Sequence, residues 1–292
     1  MKIAYVVSHR PALTRGLFLF LAAMLATTVA PLQAAEPKSK VIVPDKPIIL
    51  FNGKDLTGFY SWTTEYGRLD PNHVFTVVDQ VDGAPAIRSS GQNYGGIITN
   101  ERYANYRLLV EFRWGTLTWG KRANKTRDSG ILLHCQGEDG NASALFRSPW
   151  TSSVEFQIIE GGTGDVILVN GFVPGKSEKL TPKLTFTAQP GKRVWDPKGT
   201  PTEFSNGRID WWGRDPGWKD ELGFRGKQDV EKPVGEWNAL EAICDGGNIT
   251  YFVNGVKVME GTNGSYKDGR LLFQSEGAEI FFRKIELHPL KR

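Results

Sequence analysis

The sequence predicts an all-β fold in one domain: a sandwich, barrel or jelly roll. Three observations predict it. Short apolar runs alternate with polar residues at period two, the period of a strand. Turn signals separate the runs, Asp245-Gly246-Gly247 and Asn254-Gly255 among them, and Asn-Gly between two such runs marks a hairpin. No segment holds a sustained amphipathic helical pattern with caps. The 33 Gly and 16 Pro suit a chain with many turns.

The first residues read as an address. Lys2, Arg10 and Arg15 precede the apolar run Leu17 to Ala26, and small residues follow to Ala35. This is the pattern of a secretory signal peptide over residues 1–35. The run is shorter than the roughly 20 residues a membrane span needs. The expectation is export, to the periplasm or the medium, with no stable membrane span after processing. Residues 36–47 read as an N-terminal tether, and 48–290 as one β-sandwich domain long enough for a large core.

Within that domain Ile48–Phe51 is the first strand, ended by Asn52-Gly53. Phe75–Val78 runs toward Asp82-Gly83. Tyr106–Trp114 alternates, with Tyr106, Leu108, Val110 and Phe112 inward and Arg107, Glu111 and Arg113 outward. Ser129–Gln136 and Ser153–Glu160 follow. Asn238–Cys244, Ile249–Val253 and Val256–Met259 come next, and the last two join at Asn254-Gly255. Leu271–Glu276 and Glu279–Leu287 read as a closing hairpin around Gly277.

Pro190 to Trp237 breaks the rhythm with Gly, Pro, charge and tryptophan. A loop this long is functional or disordered, and its aromatic load argues against disorder. Trp211, Trp212 and Trp218 are expected to wall a sugar site, with some of the tryptophans plugging the sandwich edge.

The net charge of +4 includes the cations of the signal segment. No Lys/Arg block forms a nucleic-acid stripe. Cys135 and Cys244 fall on apolar strand faces and are expected as buried free thiols, although export permits a disulfide.

Two strands carry the candidate chemistry. Ile131, Leu133 and Cys135 alternate with Leu132, His134 and Gln136. Val154, Phe156 and Ile158 alternate with Glu155 and Gln157. In one sheet, His134, Gln136, Glu155 and Gln157 would share a face. An acid, an imidazole and two carboxamides suit a polyhydroxylated small-molecule ligand.

Four segments in order add a resemblance: Leu50-Phe-Asn-Gly-Lys-Asp-Leu-Thr-Gly58, Asp128-Ser-Gly-Ile-Leu-Leu-His-Cys-Gln136, Gly235-Glu-Trp-Asn-x-Leu-Glu241 with Val253-Asn-Gly255, and Leu272-Phe-Gln-Ser-Glu-Gly-Ala-Glu279 with Phe282-Arg283. Together the chain resembles the secreted bacterial 3-keto-disaccharide hydrolase family, which includes 3-keto-glucoside 1,2-lyases and 3-keto-2-hydroxy-glucal hydratases. The resemblance implies a concanavalin-like β-jelly roll and a small carbohydrate substrate oxidised at C3.

A 3-keto group acidifies the C2 proton, so the site needs a base, a stabiliser for the enolate oxygen and a proton donor for the leaving oxygen. Glu155 is the candidate base. His134 would donate to the enolate oxygen or the leaving group, and Arg113 would supply fixed positive charge. Gln136, Gln157 and Gln274 would hold hydroxyls. Asp128 and Glu276 are alternatives for the second acid/base role. A divalent ion held by His134, Glu155 and Asp128 is open, as is calcium at loop carboxylates including Asp165. No His-x-x-x-His or Cys-x-x-Cys spacing supports a zinc cluster.

Two other readings stay open. Glu155-Phe-Gln-Ile-Ile-Glu160 is similar to the acid strand of retaining jelly-roll β-glucanases, but Gln157 stands where that pattern has Asp. Glu155 and Glu160 also face opposite ways without a bulge. A non-catalytic carbohydrate-binding module is the second alternative.

Overall fold

A computed structural model describes residues 40–291; the expected signal segment and the start of the tether lie outside them. Two β-sheets pack face to face as a β-jelly-roll sandwich, as the alternation predicts. The front sheet has nine strands. Its path runs Val41–Ile42, Arg102–Ala104, Asp268–Ser275, Asp128–Gln136, Ser152–Ile159, Val166–Val169, Gly207–Ile209, and Gly95–Thr99 and Phe59–Thr63 extend it beside Asp268–Ser275. The ten-stranded back sheet has Asn238–Asp245, Tyr106–Thr118 and Ala278–Pro289 at its centre.

The inner faces make the core. Leu108, Val110 and Phe112 of the back sheet are buried, as are Ile131, Phe156 and Phe273 of the front. Phe156 stacks on Tyr251 at 4.1 Å between ring centroids, and Phe273 meets Phe282 edge-on at 5.5 Å. Burying each such side chain stabilises the fold by about 1.5–3 kcal/mol. Cys135 and Cys244 are buried free thiols. Among the described residues, no helix is long and apolar enough to cross a membrane.

The Asn254-Gly255 hairpin forms as expected. Val253 pairs with Val256, and both turn residues take positive φ, 49° and 82°, the twist that two-residue hairpins require. Gly277 behaves otherwise. Asp268–Ser275 belongs to the front sheet and Ala278–Pro289 to the back, so Glu276-Gly277 is a corner between sheets rather than a hairpin. Alternation fixes which side of each strand is apolar. It does not say whether the next strand lies alongside or across the core, and Phe273 and Phe282 meet across it.

Two further expectations change. Val41–Ile42 pairs in parallel with Arg102–Tyr103, so part of the expected tether is a sheet edge. The Pro190–Trp237 stretch contributes Thr200–Phe204 to the back sheet and Gly207–Ile209 to the front. Trp195 and Trp211 are in the core.

Candidate active site on the front sheet

The site is built by register. Phe156 and Phe273 both pair with Ile131, and all three point inward. Their neighbours therefore point out. Glu155 pairs with Leu132, and Gln157 with Gly130. Glu155 Oε1 and Gln274 Oε1 converge above Gly130: a Cβ there would overlap the Glu155 carboxyl and stand 2.8 Å from the Gln274 oxygen. Glycine at 130 is what lets these two side chains meet over the central strand.

Asp128 lies one turn of the pleat along the same face. Gln157 Nε2 donates to its Oδ1 at 2.5 Å, and the Arg122 guanidinium pairs with its other oxygen. Arg122 also reaches Asp220 at 2.9 Å, which ties the short Gly120–Arg122 helical turn to the Pro190–Trp237 stretch. Glu276 stands at the corner into the back sheet, within electrostatic reach of Asp128 and Glu155. Arg208, held by Asp165 at 2.9 Å, acts on Asp128 and Glu155 from the far side.

The structure thus brings together Asp128, Glu155, Gln157, Gln274 and Glu276. Burial, then the charge of Asp128, pushes the Glu155 carboxyl up to about 8, against the pull of Arg208 and Gln274. Burial raises Asp128 to about 6, with Arg122 and Arg208 opposing. Glu276 is pushed well up by burial and then by the other two acids. Carboxyls crowded away from water cannot all ionise, so the group holds protons at neutral pH.

Gln274 is fully buried; its carboxamide bears on the Glu155 carboxyl, but neither Oε1 nor Nε2 makes a hydrogen bond of good geometry. An unsatisfied buried polar group costs about 1–3 kcal/mol. A donor and an acceptor left open beside a protonated acid are a docking position for a ligand oxygen and hydroxyl.

Of the other expected site residues, His134, Gln136, Arg113 and Trp211 lie elsewhere. His134 takes φ +54° at a bulge, where the pairing shifts from Val154↔Leu133 to Ser152↔Gln136. One extra residue reverses the alternation beyond it. The His134 ring therefore points into the core, 5.7 Å from Tyr106 and edge-on to it, and Nδ1 donates to the Tyr266 carbonyl at 3.2 Å. Burial drops its pKa to about 4, so it is neutral and on the face opposite Glu155. Cys135 moves outward in exchange and packs with Leu132 and Leu272.

Gln136 sits beyond the same bulge. Its carboxamide accepts from Arg102 at 3.2 Å and donates to the His134 and Asp268 carbonyls, a structural lock. Arg113 lies on the outer face of the back sheet, paired with Asp82 at 3.0 Å. Trp211 is 2 % exposed in the core. Trp212 is exposed and packs edge-on against Trp211. The Trp218 indole donates to the Glu160 carbonyl at 3.0 Å, under Arg214.

The expected metal set is not assembled, because His134 points away from Glu155 and Asp128. Asp165 is engaged by Arg208, Arg214 and the Trp211 N–H rather than open to calcium. Among the described residues, no group of three His, Cys, Asp or Glu is placed to hold a metal ion. Glu160 is locked to Arg127 at 2.8 Å, both buried, so the Glu155/Glu160 pair of the glucanase reading does not form.

Three side chains of the site have no signal in the sequence: Arg122, Arg208, and Tyr94, which stands within electrostatic reach of Glu276, Arg122 and Asp128. The two arginines come from irregular or edge segments without alternation. Trp62 and Trp150 were missed too. They pack over Leu132 and Leu272 on this outer face, where the alternation had suggested only polar neighbours for Leu132.

The fold and this acid-rich face define a β-sandwich domain with a buried acid/base cluster on its front sheet. Residues 46–288 match the family model described as the 3-keto-alpha-glucoside-1,2-lyase-like domain, and the chain belongs to that family. No curated protein matches the chain. Among solved structures, a "putative glycosyl hydrolase" from Parabacteroides distasonis ATCC 8503 is similar at 19% identity and TM-score 0.47, over 84% of this chain and 94% of that one. A carbohydrate-binding module from Bacillus subtilis is similar at 10% identity and TM-score 0.39, over 78% of this chain and 94% of its own.

Proposed function

We propose that this protein cleaves 3-keto-glycosides by removing the C2 proton and eliminating the aglycone from C1, and that the same base serves hydration of the resulting 3-keto-2-hydroxy-glucal. The observation that carries the reading is the meeting of Glu155 and Gln274 over Gly130. A base whose pKa is raised toward working pH stands beside a carboxamide that makes no hydrogen bond of good geometry.

In its ionised form Glu155 takes the C2 proton. The electron pair moves onto the C3 oxygen as an enolate. The Gln274 amide N–H and the neutral Glu276 carboxyl meet that oxygen, and Arg208 supplies fixed positive charge. Arg208 takes the place expected for Arg113, and Glu276 the enolate role expected for His134. Gln157 is held by Asp128 and orients it. Export, expected from residues 1–35, would place the reaction outside the cytoplasm.

The split between Glu155 and Asp128, about 8 and about 6, also suits the acid and nucleophile of a glycoside hydrolase. Product analysis separates the two. The protein is incubated with 3-keto-glucosides and their unoxidised parents, and products are read by mass spectrometry. The lyase reading expects the glucal or its hydrate from the keto substrates only. Cleavage of the unoxidised parent at comparable rate would reject it.

A further inference from the structure

The acid cluster has a base and groups for the C3 oxygen, but the departing oxygen at C1 still needs a proton. Tyr94 lies at the edge of the cluster, one residue before the Gly95–Thr99 strand and partly exposed. Its backbone is fixed on both sides: its carbonyl accepts from Thr64 N–H at 3.0 Å, and Gly95 pairs with Ser275 and Thr63. Its hydroxyl comes beside the sheet corner. A Cβ on Gly277 would stand 3.1 Å from the Tyr94 oxygen and 2.8 Å from Arg122 Cγ. Gly277 also has φ +76°. The corner glycine is therefore required twice, by its backbone and by the space the phenol and Arg122 occupy.

We infer that Tyr94 is the general acid that protonates the leaving glycosidic oxygen, with Arg122 steadying the phenolate that results. The inference rests on the lyase reading of the same site. The step balances. The C2–H electron pair, held as the C3 enolate, returns to form C1=C2 as the C1–O bond breaks and the C3 carbonyl re-forms. The Tyr94 proton goes to the aglycone oxygen. The proton on Glu155 returns to the phenolate through solvent, which restores both groups.

The surroundings fit that role. The faces presented to Tyr94 are Glu276 and Gly277 at the corner, Arg122 from the helical turn, and Asp128 from the central strand. Burial raises the phenol above its ordinary 10, so it carries its proton at any working pH. Arg122 opposes that shift and would favour the phenolate at the moment of transfer.

The test uses Tyr94→Phe with two 3-keto-glucosides, one with a 4-nitrophenyl and one with an alkyl leaving group. A nitrophenolate departs without a proton, and an alkoxide does not. Tyr94→Phe should lose about 10²–10⁴-fold on the alkyl substrate and about tenfold or less on the nitrophenyl one. In addition, 3,5-difluorotyrosine at 94, a more acidic phenol, should move the alkaline limb of the alkyl rate profile to lower pH. Equal losses on both substrates, or no loss on either, would overturn the assignment of Tyr94 while leaving the lyase reading in place. A wild-type protein inert to both keto substrates would overturn the lyase reading itself.

Discussion

Replacing Glu155 by Gln should remove most of the turnover and stabilise the fold, and the stabilisation should depend on pH. The carboxyl rises from its ordinary 4.5 to about 8 in the folded protein. Between these values the folded state holds a proton that the unfolded chain releases. The contribution to stability is therefore fully present below about pH 4.5 and is lost as pH rises toward 8, at about 1.4 kcal/mol per pH unit. The loss is about 3 kcal/mol at pH 7 and about 5 kcal/mol above pH 8. Gln is neutral throughout and keeps the shape, so the variant avoids this loss. At roughly 2–4 °C per kcal/mol for a domain of this size, its melting temperature should exceed wild type by about 6–12 °C at pH 7. The difference should shrink to about 1–3 °C at pH 5. Thermal unfolding of both proteins from pH 5 to pH 9 checks this. A melting difference that does not change with pH would refute the claim that Glu155 is a raised, desolvated acid.

Gly130→Ala should leave the sheet intact but cost at least ~10²-fold in turnover, because the new methyl stands where the Glu155 carboxyl lies; kinetics and circular dichroism together report it. The rate on a 3-keto-glycoside should climb with pH through about 8 as Glu155 ionises, and a profile flat from pH 6 to 9 would contradict the base assignment. Trp211→Ala should lower stability by about 3–5 kcal/mol in chemical denaturation, as a buried indole does, with KM little changed where protein stays folded. His134→Gln should destabilise the core and leave the pH–rate profile unmoved, since the ring lies on the opposite face of its strand.

Much of the fold was legible, and the site only in part, for the same physical reason. Period-two alternation in Tyr106–Trp114 and Ser153–Ile158 correctly sorted inner from outer side chains, because the residues inserted in those ladders lie in the partner strands. Glu155 and Gln157 were placed on one outer face by that rule. It failed for His134 because a bulge inserts one residue after Leu133, and alternation carries no mark of an insertion. It also misread Gly277, where a two-residue link serves a sheet crossing as readily as a hairpin. Arg113 was sorted outward correctly, but outward on the back sheet, since alternation does not say which sheet a strand joins. The arginines that do reach the acids, Arg122 and Arg208, are positioned by a short helical turn and an edge strand whose sequences have no periodicity to read. The tryptophans of the Pro190–Trp237 stretch illustrate a further limit. Composition showed that the stretch is ordered, but Trp211 fills the core and only Trp212 is exposed.

The central claim is that Glu155 removes a proton from C2 of a 3-keto sugar. Its most direct measurement is primary isotope discrimination with a C2-deuterated 3-keto-glucoside, with wild type and Glu155→Gln side by side. The account predicts slower turnover of the deuterated substrate by wild type, and a loss of about 10²–10⁴-fold in Glu155→Gln. Equal rates for the two isotopologues, together with solvent oxygen entering C1 and no glucal, would place the chemistry at the glycosidic carbon and contradict the account.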